Sequence, residues 1–464
     1  MAHSQRLHRK EKEIMIVMKF GGTSVQDAEA MARVISIVKT RLKRKPVVVS
    51  SATAKTTDTL LNCCRTAAEG NYEKATDIIR QIKDRHIKIS SELIKDEAKL
   101  EELKVKIKDL LDGLRDIIKG IYLLSELSER SIAKVASHGE LLSTLILSYA
   151  FNESGIKTEY VDARDFMYTN KDFSNAEPLF DVICSKAPVR LDKILNSGKV
   201  VVTQGFIAST QDGITTTFSR GGSDYSASII GMAMNAEEVE IWTDVDGILT
   251  ADPMIVEETK IIDEITFKEA AELAFFGAKV LHPSTIIPAV EKNIPVRVLN
   301  SHYPERKGTL IKKSINEKDS FIKSITSKKE ITVLNIYSPK MLLAHGFLKK
   351  IFEVFDKHKT SVDVITTSEV NVSLTLDNDE SIEGIIKELS EFSEVNVDRD
   401  KSLVCIVGSN LKYIPGVAKK VFQVLGEFNI TMISQGASVI NISFVVDRDK
   451  LNDVIKTLHK EFFG

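Results

Sequence analysis

The chain has 464 residues, more than one hydrophobic core usually supports, so we expect two or three domains. Its 63 Lys and Arg residues nearly balance its 65 Asp and Glu residues, and the formal net charge of -2 argues against a protein that binds nucleic acid or anionic membranes through bulk basic charge. Segment 6–12 is charged and lacks the apolar core of a signal peptide, and no later run reaches the length of a membrane span. We therefore expect a cytoplasmic protein that acts on small ligands.

The first two predicted strands each end in a loop rich in small and hydroxylated residues. Ile14 to Phe20 is apolar except for Lys19, and Gly21-Gly22 follows before a helical pattern begins. Pro46 to Ser50 is a second short run rich in Val, and Ser, Thr and Asp recur across positions 51–58. Both loops suit phosphate or carboxylate groups, because glycine lets backbone N–H groups approach an anion and hydroxyls donate hydrogen bonds to it.

A long helical segment follows, which we place at about residues 71–135. Between Tyr72 and Leu111 there is neither Gly nor Pro, and apolar residues recur at helical spacing between charges. We interpret these charges as solvated helix faces rather than as a binding site. Helical patterning continues through Ser137-His138-Gly139-Glu140, an unusually polar tetrad for a helix interior.

Two further strands are predicted at 200–203 and 239–242, on either side of a stretch that combines hydroxyls, Arg220, paired glycines and Asp224. Residues 215–228 predict an anion-binding helix start, and the glycines alone fit a capped turn equally well. Strands alternating with helices predict an α/β fold with a mainly parallel sheet. Ligands of such sheets gather at the carboxyl ends of the strands, where these loops lie.

The strand-end loops carry the groups that phosphoryl transfer needs. Lys19 and Lys279 are cations, the glycines offer N–H donors, and Asp224 and Asp244 are carboxylates that suit a metal-bound nucleotide. The chain has no Walker A loop, no protein-kinase motifs and no dinucleotide-binding turn. A single lysine is more often a surface residue, but several complementary loops together favour a phosphotransferase.

The C-terminal part contains an internal duplication. Shifting residues 346–377 by 70 positions aligns them without a gap and superimposes identical residues from Gly346 and Gly416 to Asp377 and Asp447. Each copy predicts the order strand, helix, strand, strand, helix. The second copy ends in a helix and lacks a final strand, and Phe321 to Thr326 is available to supply it, which would interleave the two copies.

Six motifs resemble the aspartate kinase family: residues 19–25, 137–140, 205–207, 217–225, 242–247 and 277–283. The resemblance extends over about residues 15–464, including a tail similar to the paired ACT modules of that family. It implies an amino-acid-kinase fold, a carbamate-kinase-like αβα sandwich, followed by two ferredoxin-like βαββαβ ACT modules. The domain boundaries we predict are an N-terminal arm 1–13, a catalytic domain 14–300, a linker 301–320, and ACT modules at 321–400 and 401–464.

The resemblance also implies an activity: ATP-dependent phosphorylation of L-aspartate to 4-phospho-L-aspartate, the entry to lysine, threonine and methionine synthesis. Lys19 then contacts the transferred phosphoryl group, and Asp224 orients the site near a Mg²⁺ ion that ATP carries without direct protein ligands. Glu140 binds the substrate ammonium and Arg220 its carboxylate. The remaining pocket residues are Ser51, Thr57, Phe206, Thr217 and Ser223, and the ATP contacts are Lys19, Gly21, Gly22, Thr243, Asp244 and Lys279.

Residue chemistry agrees with these roles. An aspartate side chain has a reference pKa of about 3.9, so the nucleophile is ionised at neutral pH and needs no general base. We therefore expect packing roles for His138 and His282. The chain departs from the family pattern at Leu249 and Met254, where an aromatic residue and an arginine are common, and at Ser219, where Gly is common.

The tail resembles the effector-binding face of lysine-inhibited members. The effector residues implied are Met341, Gly346, Phe347, Leu348, Val362, Asp363 and Ser368, most of which also suit an ACT core. Asp363 is the predicted partner of an amino-acid ammonium. Ala344 replaces a polar residue of some lysine-sensitive members, so the effector is lysine or, next, threonine, acting through ACT modules paired in a homodimer or homotetramer.

Two alternatives stay open at this point. One is another kinase of the same fold, acting on glutamate, acetylglutamate or a nucleotide. The other is a catalytically inactive amino-acid sensor. Glu140 and Arg220 disfavour the first because they offer partners to both ends of a free amino acid, and Lys19, Asp224 and Lys279 disfavour the second because a sensor needs no phosphate-handling groups.

Overall fold

The structure is a computed structural model that describes residues 15–173, 175–219, 221–277, 281–315, 321–342, 345–377 and 381–464. The predicted N-terminal arm and three predicted functional positions, Arg220, Lys279 and Ala344, lie outside the described residues. The strands are β1 (Ile16–Phe20), β2 (Pro46–Ser50), β3 (Thr158–Tyr160), β4 (Val200–Gln204), β5 (Ile207–Ser209), β6 (Thr215–Thr217), β7 (Glu238–Thr243), β8 (Glu264–Thr266), β9 (Val296–Asn300), β10 (Thr309–Lys312), β11 (Ile322–Tyr337), β12 (Ile365–Thr367), β13 (Asn371–Leu376), β14 (Glu394–Gly408), β15 (Met432–Gln435) and β16 (Asn441–Asp447).

The helices alternate with these strands in the first half of the chain and flank pairs of strands in the second. They are α1 (Ala28–Lys39), α2 (Thr56–Ala68), α3 (Tyr72–Leu93), α4 (Glu97–Leu124), α5 (Glu129–Ala136), α6 (His138–Glu153), α7 (Phe180–Asn196), α8 (Gly222–Met234), α9 (Phe267–Phe275), α10 (Ile287–Glu291), α11 (Phe347–Lys357), α12 (Ile382–Leu389), α13 (Val417–Val424) and α14 (Leu451–Phe463).

The chain divides into two compact units, Met1–Gly247 with Leu281–Lys313, and Ile248–Val280 with Ser314–Gly464. This division differs from the predicted boundaries at two places: residues 248–280 group with the C-terminal part, and the first unit continues to Lys313, so that β10 lies within the predicted linker 301–320. The second difference follows from the pairing of β10 with β9. The physical reason for the first is hydrophobic: Ala251, Ile255 and Val256 are buried in the same apolar cluster as residues of β11, β14 and α14. Sequence patterning identifies the apolar residues of this segment but not the core in which they are buried.

The sheet of the first unit has the strand order β3-β4-β2-β1-β7-β9-β10. Its strands are parallel except β10, which runs antiparallel to β9. The predicted mainly parallel sheet is thus confirmed. The carboxyl ends of β4, β2, β1 and β7 are neighbours, as shown by the pairing of Gln204 with Ser50, of Ser50 with Phe20, and of Phe20 with Trp242.

Alternation along β1 assigns its side chains to opposite faces of the sheet. Ile16, Met18 and Phe20 are buried in one cluster with residues of helices α1 to α4 and α6. Val17 lies on the other face, where a Cβ added to Gly231 of α8 would approach its side chain to 4.0 Å. Lys19 shares the parity of Val17, so it faces α8.

The sheet of the second unit is six-stranded, with the order β12-β13-β11-β14-β16-β15. Its two long central strands are antiparallel and belong to both repeats. The first half of β11 pairs with the second half of β14, as Ile325 with Ile406, and its second half pairs with the first half of β14, as Leu334 with Val397. The first half of β11 is therefore the strand that the second repeat lacks.

Each half of this sheet has its own hydrophobic core. Leu334 and Ile336 are buried with residues of α11, α12 and β13. Ile322, Ile325 and Ile406 are buried instead with residues of α13, α14 and β16. The result is two ferredoxin-like modules that exchange strands, which is the architecture predicted for the tail.

Candidate active site

Lys19 and Asp224 form an ion pair at the carboxyl end of the first strand. Lys19 Nζ lies 2.6 Å from Asp224 Oδ1, and the two side chains are 10% and 15% exposed. The alternation of β1 directs Lys19 toward α8, and Asp224 lies in the first turn of that helix, where the helix dipole favours a carboxylate. The two residues predicted to be catalytic therefore meet at one point.

The turn that begins α8 needs its glycines. Gly221 has φ of +77°, a left-handed conformation that favours glycine. A Cβ on Gly222 would lie 2.8 Å from Phe206 Cδ2, and one on Gly205 would lie 2.6 Å from Ser223 Cβ. This close packing brings the end of β4 against the start of α8, so Phe206 and Ser223 face the same space.

Glu140 reaches this space from helix α6. A Cβ on the preceding Gly139 would lie 2.8 Å from Ala52 Cβ, so glycine allows α6 to pack closely on the loop that follows β2. The backbone N–H of Ala52 donates to Glu140 Oε1 at 3.1 Å, while Oε2 is buried and has no hydrogen-bond partner among the described residues. Burial raises the pKa of Glu140 to about 8. An unpartnered buried carboxylate oxygen is suited to a cationic ligand group.

These groups surround one cavity of about 320 Å³. Eight of the predicted site residues line it: Lys19, Gly22, Ser51, Thr57, Glu140, Phe206, Ser223 and Asp224. Its remaining described lining residues are Ala52, Thr53, Ala54, Lys55, Asp58, Ser219, Gly221 and Gly222. The hydroxyls and Asp58 of the loop after β2 were predicted to suit an anion, whereas no role was predicted for residues 52–55, which also line the cavity.

Four predicted residues are described but do not line the cavity. Gly21 lies at the end of β1, where its N–H donates to Trp242 O at 3.2 Å. Thr243 is the last residue of β7 and Asp244 follows it, and the Thr243 hydroxyl donates to Asp244 Oδ1 at 3.1 Å. Thr217 pairs with Ile207 in the β5–β6 hairpin. Their assigned contacts with substrates remain predictions, as do those of Arg220 and Lys279.

The two histidines near the motifs make local hydrogen bonds. His138 Nδ1 lies 2.9 Å from Lys134 O one helical turn earlier, and burial lowers the pKa of this histidine to about 4. His282 Nδ1 lies 2.6 Å from Ser284 Oγ. Neither residue lines the cavity.

The predicted effector residues lie in the second unit. Asp363 Oδ1 is 2.9 Å from Lys328 Nζ, which also contacts Asp377 and lies 4.5 Å from the ring centroid of Phe275. Burial, with Asp377 beside it, raises the pKa of Asp363. Gly346 caps the start of α11 with φ of +79°, Phe347 is buried, and Leu348 is exposed. Met341 and Val362 pack against the first-module core, and Ser368 exchanges hydrogen bonds with Asn371.

Neither a membrane span nor a metal cluster is found in the described ranges. No helix within them is long and apolar enough to cross a membrane. Within the same ranges, no three His, Cys, Asp or Glu side chains come together where they could hold a metal ion.

Comparisons with known proteins agree with the fold. A model of the amino acid kinase family matches residues 15–300, and an ACT domain model matches residues 404–462. Lysine-sensitive aspartokinase 3 of Escherichia coli K12 is 39% identical over 462 residues, which cover 97% of this chain and 99% of that protein. The chain belongs to the aspartokinase family. Aspartokinase 3, chloroplastic, of Arabidopsis thaliana is 38% identical over 481 residues, which cover 99% of this chain and 83% of that protein.

Two solved structures of E. coli aspartokinase III resemble the whole chain. The complex with lysine and aspartate, described as the T-state, has a TM-score of 0.82, and the complex with aspartate and ADP, described as the R-state, has a TM-score of 0.79. Both are 38% identical to this chain and cover 97% of it. Membership of the aspartokinase family confirms the predicted fold and the predicted class of phosphotransferase.

Proposed function

We propose that this aspartokinase-family chain transfers the γ-phosphoryl group of ATP to the side-chain carboxylate of L-aspartate. The observation that carries the proposal is the cavity in which the Lys19–Asp224 pair and the free oxygen of Glu140 face common space. The complexes of the E. coli relative with aspartate and with ADP support it. The products are ADP and 4-phospho-L-aspartate, and 4-phospho-L-aspartate is the precursor for the synthesis of lysine, threonine and methionine.

The acceptor amino acid is held by both ends in this proposal. The unpartnered Glu140 Oε2 accepts from the substrate ammonium, and Arg220 binds the α-carboxylate through its planar guanidinium. Ser51, Thr57, Phe206, Thr217 and Ser223 complete the acceptor pocket. Binding both ends aims the side-chain carboxylate toward Lys19, which is the orientation that transfer requires.

The nucleotide side fits a polyphosphate. Gly22 lines the cavity and packs so close to the next loop that a Cβ would be 3.0 Å from Ala52 O. We assign Lys19, Gly21, Gly22, Thr243, Asp244 and Lys279 to ATP. Mg²⁺ carried by ATP would neutralise phosphate charge, and Asp224 is the carboxylate near which it would be held.

The chemistry then needs no general base. One oxygen of the acceptor carboxylate, ionised at neutral pH, forms the new bond to phosphorus while the bond to the β-phosphate oxygen breaks, and ADP keeps that electron pair. Lys19 stabilises the charge on the transferred group. Asp224 holds the Lys19 ammonium in place from the start of α8.

We further propose feedback inhibition by lysine, with threonine as the second candidate, at a site formed by Met341, Gly346, Phe347, Leu348, Val362, Asp363 and Ser368. The lysine complex of the E. coli relative supports this choice. Asp363 Oδ2 is buried and has no hydrogen-bond partner among the described residues, so it can accept from an effector ammonium. Assembly into a homodimer or homotetramer through the ACT modules and a cytoplasmic location stay predictions from the sequence.

Asp363→Asn should weaken inhibition by lysine about 10-fold or more, because it removes the charge that an ammonium group needs. The measurement is the lysine concentration that halves the rate of each variant, relative to its own uninhibited rate. Asp377→Asn is the matched control, since Asp377 contacts the same Lys328 but is 49% exposed. Equal sensitivity of Asp363→Asn and wild type to both lysine and threonine would exclude this effector site.

A coupled assay of ADP release tests the proposed activity. We expect release that depends on L-aspartate and not on L-glutamate, because a longer side chain would misplace the reacting carboxylate in a pocket that fixes both ends. Release with glutamate alone would indicate a different carboxylate kinase. No release with either amino acid, from protein that binds lysine, would favour a sensor.

A further inference from the structure

The loop between β2 and α2 forms one wall of the acceptor cavity and has an irregular backbone. Residues 51–55 and Thr57 line the cavity, and Lys55 adopts a left-handed conformation with φ of 66°. Ala52 N–H holds Glu140 Oε1, so the position of this loop sets the position of the Glu140 carboxylate. Backbone hydrogen bonds join the loop to the end of β1 and to the glycine turn: Ser51 N–H donates to Phe20 O and Ala54 N–H donates to Gly22 O, each at 3.1 Å.

Arg85, on helix α3, ties this loop to the glycine turn. Its Nη1 donates to Ala54 O at 2.8 Å, and its Nη2 donates to Gln26 O at 2.9 Å. Ala54 lines the cavity, and Gln26 follows the turn that contains Gly22. One planar guanidinium thus bonds two segments that border the site, a geometry that a lysine ammonium does not reproduce.

His86, the next residue, holds the same loop through a hydroxyl. Its side chain is fully buried, and Nδ1 lies 2.7 Å from Ile82 O, so Nδ1 carries the proton and Nε2 is an acceptor. Thr53 Oγ1 lies 3.3 Å from Nε2 and 2.6 Å from Thr56 Oγ1. Thr53 therefore donates to His86 and accepts from Thr56. Burial lowers the pKa of His86 to about 4, so at neutral pH the imidazole is uncharged and Thr53 donates to it.

We propose that Arg85 and His86 are positioning residues for the acceptor site, which hold the loop 51–57 where Ala52 can orient Glu140. The proposal rests on the proposed function for the identity of the acceptor. The hydrogen bonds of Arg85 to Ala54 and of His86 to Thr53, which we call the clamp, are observed whatever the acceptor is. Neither side chain lines the cavity, so each acts through the loop.

Amide hydrogen exchange of the full, ligand-free chain tests the clamp without catalysis. Arg85→Ala and His86→Leu should raise the exchange rate of residues 51–57 about 10-fold, because each removes a hydrogen bond that opposes local opening. Arg80→Ala is the matched control, since Arg80 lies on the same helix, is 68% exposed and pairs with Asp77 at the surface. It should leave the exchange rate of the loop unchanged.

Kinetics in the ADP-release assay test the link to the acceptor. Arg85→Ala should raise the KM for aspartate about 10-fold with a smaller change in kcat, since the reacting groups are untouched. Arg85→Lys should recover part of this loss relative to Arg85→Ala, because its ammonium can donate to one of the two carbonyls. His86→Leu should raise the KM as well, and His86→Gln should recover part of that rise because its amide oxygen can accept from Thr53. A general loss of packing would produce neither recovery.

Three results would overturn the inference. The first is loop exchange in Arg85→Ala and His86→Leu equal to that in Arg80→Ala. The second is faster exchange with an unchanged KM for aspartate. The third is an equal loss in the conservative and non-conservative variants. A wild-type chain that releases no ADP with aspartate would instead refute the proposed function, and the exchange measurement would still decide whether the clamp exists.

Discussion

Lys19→Met should lower kcat for phosphorylation of aspartate about 10³-fold, the largest effect that we expect from any single substitution. A preorganised cation aimed at developing charge in a largely buried site contributes on the order of 10²- to 10³-fold to turnover. Methionine has nearly the length of the lysine side chain and lacks its charge. The KM for aspartate should change much less, because Glu140 and Arg220 and not Lys19 are proposed to hold the acceptor.

Folding must be separated from chemistry in this test, because Lys19→Met leaves Asp224 without its partner at a site that is 15% exposed. Loss of one member of a buried pair destabilises a protein through the charge left behind. The double variant Lys19→Met with Asp224→Asn removes both charges and should recover stability but not turnover. Lys19→Arg retains a cation for Asp224 but shifts its charge, so it too should fold and remain slow.

Lys39→Met is the matched control, since Lys39 is an exposed residue at the end of α1 in the same unit. Its kcat and melting temperature should equal those of the wild type. Turnover of Lys19→Met within about tenfold of the wild type, in protein of normal melting temperature, would remove Lys19 from the role assigned to it.

Glu140→Gln should raise the KM for aspartate about 10- to 100-fold, the cost of replacing a charge-assisted hydrogen bond with a neutral one. The effect on kcat should be smaller, because the ammonium lies at the end of the substrate away from phosphoryl transfer. Exposed Glu129, at the start of the neighbouring helix α5, is the matched control as Glu129→Gln.

The pH dependence of kcat/KM gives a sharper test of Glu140. Its pKa in the ligand-free protein is about 8, so at lower pH the carboxyl is mostly protonated and binds an ammonium poorly. We expect kcat/KM for aspartate to rise about tenfold per pH unit below pH 8 and then to level off, with this step absent in Glu140→Gln. A wild-type profile that is flat between pH 6 and 8, roughly, would contradict the role of Glu140.

The same shift affects stability with the opposite sign. Between the ordinary value of 4.5 and about 8, the folded protein keeps a proton on Glu140 that the unfolded chain releases. Rising pH in this window therefore lowers the free energy of unfolding of the ligand-free protein. The melting temperature of the wild type should fall through this window more steeply than that of Glu140→Gln.

Part of the site was predictable because it depends on strand periodicity and glycine. Alternation in β1 fixes the face of Lys19, and the glycines around Ser223 and Glu140 indicate close approach of backbone segments. Residue patterns alone indicated Lys19, Gly22, Asp224 and the hydroxyl-rich loop after β2, whereas Glu140, Phe206 and Ser223 were assigned to the pocket from the resemblance to the aspartate kinase family. Neither the patterns nor the resemblance indicates residues that act from a distance, because in the sequence Arg85 resembles any charged residue on a solvated helix. The position of His86 does indicate burial, since it lies one turn from Ile82 on the apolar face of α3.

The grouping of residues 248–280 with the second unit was not predictable for a related reason. Their apolar residues fit a buried segment of either unit, and only tertiary packing shows that Ala251 shares a core with Val404. The departures at Leu249 and Met254 fall in this segment. Leu249 forms an isolated antiparallel β-bridge with Ile261, whereas the side chain of Met254 is 88% exposed.

The two long strands β11 and β14 make the tail one folding unit. Each strand crosses from the core of one module to that of the other, so neither repeat contains all the strands of its own module. If the two repeats were separated, each module would lose the one strand that the other repeat supplies. We therefore infer that the modules fold and unfold together.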